Sequence, residues 1–298
     1  MATAQSPFEM AVLGDSVTWG SGLPEEDKFW KLALGWLEAK LGRPVHSQVL
    51  AHSLAVIAPD PAKDAVPPAW GEIRFQHPSI TYEALSDPRL NDPGPAAIDL
   101  VLVDGGINDL GPFNLLLPWR SPGWVRDQAA EHCGRKMKNL LLPVLDRFPK
   151  ARVVVTGYYP IVSSQTSFAG VLAPLTGFRR RLIQLSAAWR QATDEWLGWA
   201  VQEANLHASG PKPRVLYATA AFGPENCYGA PETYLWTLGE ALTDGSPLGK
   251  QRRCECRRLK PLDLVCPIDM AFHPNRSGAR AYADAVIQAV GPFLPAPR

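Results

Sequence analysis

The 298-residue sequence is short of several things, and each shortage closes off a class of protein. It has almost no net charge, with 30 basic side chains against 29 acidic ones. No global positive field exists to gather nucleic acid or an anionic surface. Long apolar runs are missing as well. Runs such as residues 98–103 fall far below what crosses a bilayer, so no integral membrane segment is expected. The first eight residues show no basic stretch leading into an apolar one. The default placement is therefore cytoplasmic, with secretion the alternative if a leader has been removed. Five cysteines are too few for a disulfide scaffold and read by default as reduced thiols. A Cys256–Cys266 or Cys254–Cys266 disulfide stays open, and either would change that placement. There is no internal repeat and no Walker-type loop, and Gly20-Ser21-Gly22 lacks the glycine spacing of a dinucleotide site.

What is abundant is proline, at 29 residues, and tryptophan, at 10. The prolines imply long ordered loops, and the tryptophans an apolar cleft or unusually aromatic packing. With 46% hydrophobic and 20% charged residues the chain has ordinary globular composition. Its length suits one large α/β domain over residues 1–298.

Strand and helix patterns alternate. Strands are expected at Phe8–Leu13, 44–50, 98–103, Arg152–Thr156 and 214–217. A helix opens at Pro24-Glu25-Glu26, buries Phe29, Leu32, Ala33, Trp36 and Leu37, and stops at Gly42. Residues 124–148 read as a helix bent at Gly134 or Pro143, and 178–207 as a long amphipathic one. A last helix is capped by Asn275 and ends at Gly291-Pro292. Residues 56–97 and 222–268 read as loop-rich insertions. This alternation predicts a parallel, doubly wound sheet covered on both faces. Its working site would lie beyond the carboxyl ends of the strands, at residues 14–16, 51–55 and 104–109.

Two of those places hold apt chemistry. Gly14-Asp15-Ser16 puts a hydroxyl at the end of the first strand, either as a nucleophile or merely as a helix cap. Gly105-Gly106-Ile107-Asn108-Asp109 puts an amide where it can meet a developing oxyanion, or is an ordinary Asn-Asp turn. A third element, His273-Pro274-Asn275-Arg276-Ser277-Gly278, supplies a general base or a surface histidine, with Asp269 four residues upstream.

In this order and context the three motifs resemble the SGNH hydrolase superfamily, also called the GDSL esterase/lipase family. The resemblance implies a flavodoxin-like, three-layer α/β/α sandwich around a five-stranded parallel sheet. It implies carboxylic ester hydrolysis through a Ser-His(-Asp) acyl-enzyme, with no metal or cofactor and a small-molecule ester as partner. By position, Ser16 would be the nucleophile and His273 the base. The side chain of Asn108 and the backbone N–H of Ser16 would be oxyanion donors.

Two departures from the family pattern stand out. Leu54 occupies the place of a glycine whose N–H completes the oxyanion hole, and it would be strained if the site needs a positive φ. Met270 stands three residues before the histidine, where the family carries an aspartate, and the acid lies at Asp269 instead. Asp269 is the favoured acid, and a backbone carbonyl is the alternative.

The remaining features carry weaker signals. Cys254-x-Cys256, Cys266 and His273 have poor spacing for zinc. The basic run from Lys250 to Lys260 reads as a solvated loop, or as a segment that steers an anionic substrate or covers the cleft. Trp19, Trp70, Phe113, Trp119, Trp124 and Trp236 lie near the candidate loops and favour lipophilic or aryl esters. The alternatives are an O-acetyl deacetylase acting on a sugar or small metabolite, and a non-catalytic binding domain retaining the fold. The sequence does not speak to oligomeric state.

Overall fold

The computed structural model describes residues 6–64, 70–73, 78–259 and 261–294. Lys260 of the basic run and two loop prolines, Pro67 and Pro68, lie outside the described residues. Five strands, β1 (Phe8–Leu13), β2 (Val45–Val49), β3 (Leu100–Val103), β4 (Arg152–Thr156) and β5 (Val215–Ala218), pair in parallel in the order β2-β1-β3-β4-β5. β1 and β3 are buried along their whole length, as continuous apolar runs must be when helices cover both faces. β2, at one edge, keeps only Val45 buried. The helices Phe29–Leu41 and Arg276–Val290 pack on each other, and the helical segments from Pro122 to Arg147 pack on Arg179–His207. The result is the α/β/α sandwich expected from the alternating pattern.

Strand order reverses between β1 and β3, and in such sheets ligands bind at that crevice. The bend anticipated near Gly134 is a π-helical segment, Ala130–Lys136, inside the long helix. A side chain on Gly134 would press on Trp196 of the neighbouring helix.

Two expectations are corrected. Residues 222–268 are not simply irregular, because they contain the helices Leu238–Thr243 and Pro247–Leu259. The basic run therefore belongs to a helix, not a solvated loop. Its buried stripe is Gly249, Arg252 and Cys256, at helical spacing. The default of reduced thiols also fails for one pair, since Cys256 and Cys266 form a disulfide across 5.8 Å between Cα atoms. It ties the Pro247–Leu259 helix to the turn Cys266–Ile268, just before His273. The zinc reading is removed with it: two of its sulfurs are bonded to each other. Cys133, Cys227 and Cys254 are free.

Candidate active site

Ser16 begins a one-turn helix, Ser16–Trp19, directly after β1. Asp15 caps that turn by accepting the Val17 N–H at 2.8 Å. The Asp15 N–H donates to Asp104 Oδ1 at 2.8 Å, and the Tyr158 hydroxyl donates to Asp15 Oδ2 at 2.6 Å. Asp104 follows β3 and Tyr158 follows β4, so these bonds lock the ends of three adjacent strands behind Ser16. The closeness explains Gly14, because a Cβ there would collide with the Asp104 carboxylate. Burial pushes both carboxyls above the usual range, Asp104 strongly because the neighbouring Asp15 charge adds to the effect.

His273 faces Ser16 across 2.7 Å, from Nε2 to Oγ. Its loop is braced by residues 233–236. Trp236 donates its N–H to the His273 carbonyl at 2.8 Å, and the Asn275 N–H donates to the Tyr234 carbonyl at 2.8 Å. Asn275 also caps the last helix, accepting from Ser277 and Gly278 N–H. Gly278 is needed there, since any side chain would strike the Tyr234 carbonyl. Burial lowers the imidazole to about 4, and the Arg252 charge pushes the same way. The backbone carbonyls of Met270, Ala271 and Asp269 approach the ring and favour protonation. None makes a hydrogen bond of good geometry to Nδ1, which is buried without a partner.

Asn108 lies in the turn Ile107–Leu110 after β3. One N–H of its amide donates to the Ala55 carbonyl at 3.0 Å, which holds the 52–55 turn beside it. Asp109 holds that turn further, accepting Ile57 N–H at 3.0 Å while paired with Lys136 at 2.9 Å. Ser16, Leu54, Asn108, Asp269 and His273 all border one cavity of about 200 Å³. Its other walls are almost wholly apolar, with Val17, Ile107, Leu116, Ile161, Leu238 and Phe272 among them.

No family model matches the sequence, and no curated protein does. Solved structures do match. An extracellular lipase from Streptomyces rimosus superposes with a TM-score of 0.58 at 14% identity, over 95% of this chain and 99% of that one. A phospholipase A1 from Streptomyces albidoflavus gives 0.54 at 16% identity, over 95% and 100%. A lipase from a goat rumen metagenome gives 0.51 at 16% identity, over 94% and 96%. The chain shares the fold of these lipases and this phospholipase, as the resemblance to the SGNH pattern predicts.

Against the SGNH pattern, Leu54 does take a left-handed conformation, φ +63°, where a glycine would be unstrained. Among the described non-glycine residues only Phe272, beside His273, shares a positive φ. Both border the cavity, and such outliers persist only where surrounding structure holds them. Asp269 is brought to the cavity, but its carboxylate does not hydrogen-bond His273 Nδ1. The expected aromatic wall is also corrected. Of the six aromatics singled out, only Phe113 borders the cavity, where Tyr159 and Phe272 join it among mostly aliphatic side chains. Trp19 instead donates to Glu72, Trp70 packs on the disulfide, and Trp124 lies under Arg120.

The sequence reading missed Arg252, a guanidinium with no solvent exposure inside the basic helix. It pairs with Glu72 at 2.6 Å and with Asp244 at 2.9 Å, and donates to the Pro267 carbonyl at 3.2 Å. Glu72 in turn accepts from Gly22 N–H and Trp19 Nε1, both at 2.8 Å, while the Glu72 carbonyl accepts the Ser53 hydroxyl. One buried ion pair thus joins the serine turn, the Leu54 turn and the histidine loop. Tyr158 and Asp104 were missed likewise, because nothing local marks a residue whose partner lies 89 or 143 positions away.

Proposed function

We propose that this chain is a serine hydrolase of the SGNH type that cleaves carboxylic esters of lipophilic acids. The observation that carries the reading is the 2.7 Å contact between Ser16 Oγ and His273 Nε2 at an apolar cavity. Nucleophile and base within hydrogen-bond reach are the signature of acyl transfer. In the proposed course, Ser16 Oγ attacks the ester carbonyl while Nε2 takes its proton. The charge developing on the carbonyl oxygen is held by the Ser16 N–H, the free N–H of the Asn108 amide and the Leu54 N–H. The imidazolium then protonates the departing alcohol, leaving Ser16 acylated. Water gives a proton to Nε2 and attacks the acyl carbon; the imidazolium returns that proton to Ser16 Oγ as the acyl–oxygen bond breaks, releasing the acid with Ser16 restored. We assign orientation of the ring to the carbonyls of residues 269–271 and not to the Asp269 carboxylate, because Nδ1 has no carboxylate bonded to it.

Apolar walls favour an acyl chain over a sugar, which would leave its hydroxyls unpaired there. The disulfide favours an oxidising compartment, so secretion replaces the cytoplasmic reading in this proposal. Hydrolysis of p-nitrophenyl esters of increasing acyl length, by the parent and by Ser16→Ala, tests the reading. Activity that rises beyond acetate and vanishes in the variant is expected. Activity confined to acetate would point to a deacetylase, and activity undiminished in Ser16→Ala would overturn the nucleophile.

A further inference from the structure

Seven large apolar side chains stand exposed among the described residues, and they are not scattered. Phe113 lines the cavity, and Trp119, Leu242, Leu262 and Leu264 lie within four residues of its wall; Phe178 is tied to that region by its neighbour Arg181, and Leu206, near the far end of the Arg179–His207 helix, is the exception. On one bank, Trp119 (73% exposed) follows Leu116 of the cavity wall by three residues. Phe178 (50% exposed) joins it there, since Arg181, three residues on, donates to the Arg120 carbonyl at 3.0 Å. On the other bank, Leu242 (61% exposed) lies one turn beyond the wall residue Leu238. Leu264 (84%) directly precedes the wall residue Val265, and Leu262 (93%) is two residues earlier.

Cations flank both banks. Arg179 and Arg180 are exposed beside Phe178. Lys250 and Arg257 are exposed two turns apart on one face of the Pro247–Leu259 helix, which packs on the turn after Leu264. None of these four has an ion pair among the described residues. The acids on the 238–266 bank are already engaged. Asp244 pairs with Arg252 and Glu255 with Arg258; Glu240 caps Thr237, and Asp263 accepts the N–H groups of Val265 and Cys266.

We infer that this end of the molecule is a docking surface for an anionic phospholipid bilayer, with the leucines and Trp119 entering the headgroup region and the cations meeting lipid phosphates. Protruding apolar side chains ringed by unpaired cations are the pattern of an interfacial anchor. The two banks flank an apolar cavity, so a chain leaving the bilayer would enter it without crossing water. A protein partner would more naturally meet a contiguous patch than side chains on separate loops. The inference rests on the lipophilic-ester reading above, but binding is measured apart from catalysis.

The test uses the full chain carrying Ser16→Ala, so that lipid is not consumed, sedimented with vesicles of phosphatidylcholine containing phosphatidylglycerol or of phosphatidylcholine alone. Binding to the anionic vesicles is expected. Leu262→Ser with Leu264→Ser should weaken it at least tenfold, and Lys250→Glu with Arg257→Glu by more than about 25-fold at low salt, at roughly fivefold for each cation lost. The charge effect should shrink as salt rises. The same pairs placed in the parent should leave hydrolysis of a water-soluble short-chain ester unchanged. Equal binding to both vesicle types, no vesicle binding, or undiminished binding of the leucine pair would overturn the proposal. So would a dimer of the parent that the leucine pair dissolves without any affinity for vesicles. If Ser16→Ala binds as expected while the parent cleaves no ester, the surface stands and the hydrolase reading falls.

Discussion

Replacing Arg252 by methionine removes the cation from a place where no water can take over. Glu72 is 1% exposed, and its carboxylate would remain buried with the N–H groups of Gly22 and Trp19 as hydrogen-bond donors and the Lys28 charge nearby. Breaking one side of a buried ion pair costs about 3–5 kcal/mol. The two remaining donors place the expected loss near the lower end, at about 3 kcal/mol. Asp244 adds little, because its carboxylate already has some access to solvent. For a chain of this size that loss corresponds to a fall in Tm of about 5 °C. The more telling consequence is catalytic. Arg252 holds the Pro267 carbonyl and touches the Met270 sulfur at 2.9 Å, three residues before His273. A shift of about 1 Å in the proposed base can cost on the order of a hundredfold in rate. Denaturant melts and kcat on a water-soluble ester, below the melting range, read the two effects separately. In a double-mutant cycle, Glu72→Gln with Arg252→Met should lose less than the two single changes together, by roughly 2 kcal/mol. An Arg252→Met protein within 1 kcal/mol of the parent and with unchanged kcat would refute the reasoning.

Two further outcomes follow from the same geometry. In the proposed mechanism His273 works as a base only when neutral, and burial lowers it to about 4, so kcat/KM should stay flat through neutral pH and fall as pH drops through about 4. In Arg252→Met, which removes a neighbouring positive charge, the acid limb should move upward; a limb already at pH 6–7 in the parent would contradict the described environment. Asn108→Ala should lower kcat by about 10²–10³ with little change in KM. Its Tm reports separately the loss of the hydrogen bond to the Ala55 carbonyl, worth about 1 kcal/mol.

Some of this was legible because the determinants are local. Phe8–Leu13 and Arg152–Thr156 read as strands and are strands to the residue, because a centre covered on both faces demands unbroken apolar runs. The Asn275 cap and the turns at Ser16 and Asn108 follow from short-range backbone chemistry. The Pro247–Leu259 helix was not legible, because a search for apolar periodicity passes over a buried stripe made of Gly249, Arg252 and Cys256. Arg252 reads as surface charge until its partner Glu72, 180 positions away, is folded against it.

The sequence by itself determined the sheet, the order of the motifs and which side chains could do chemistry, since strand burial, turns and caps are set by neighbours along the chain. Only the tertiary structure decided that Nδ1 of His273 meets no carboxylate and that Leu54 is held at a positive φ. It alone decided, too, that the cavity is apolar with mostly aliphatic walls and that Cys266 is bonded to Cys256 and not Cys254. Each of these depends on distances between segments far apart in sequence, and local patterning carries no measure of them.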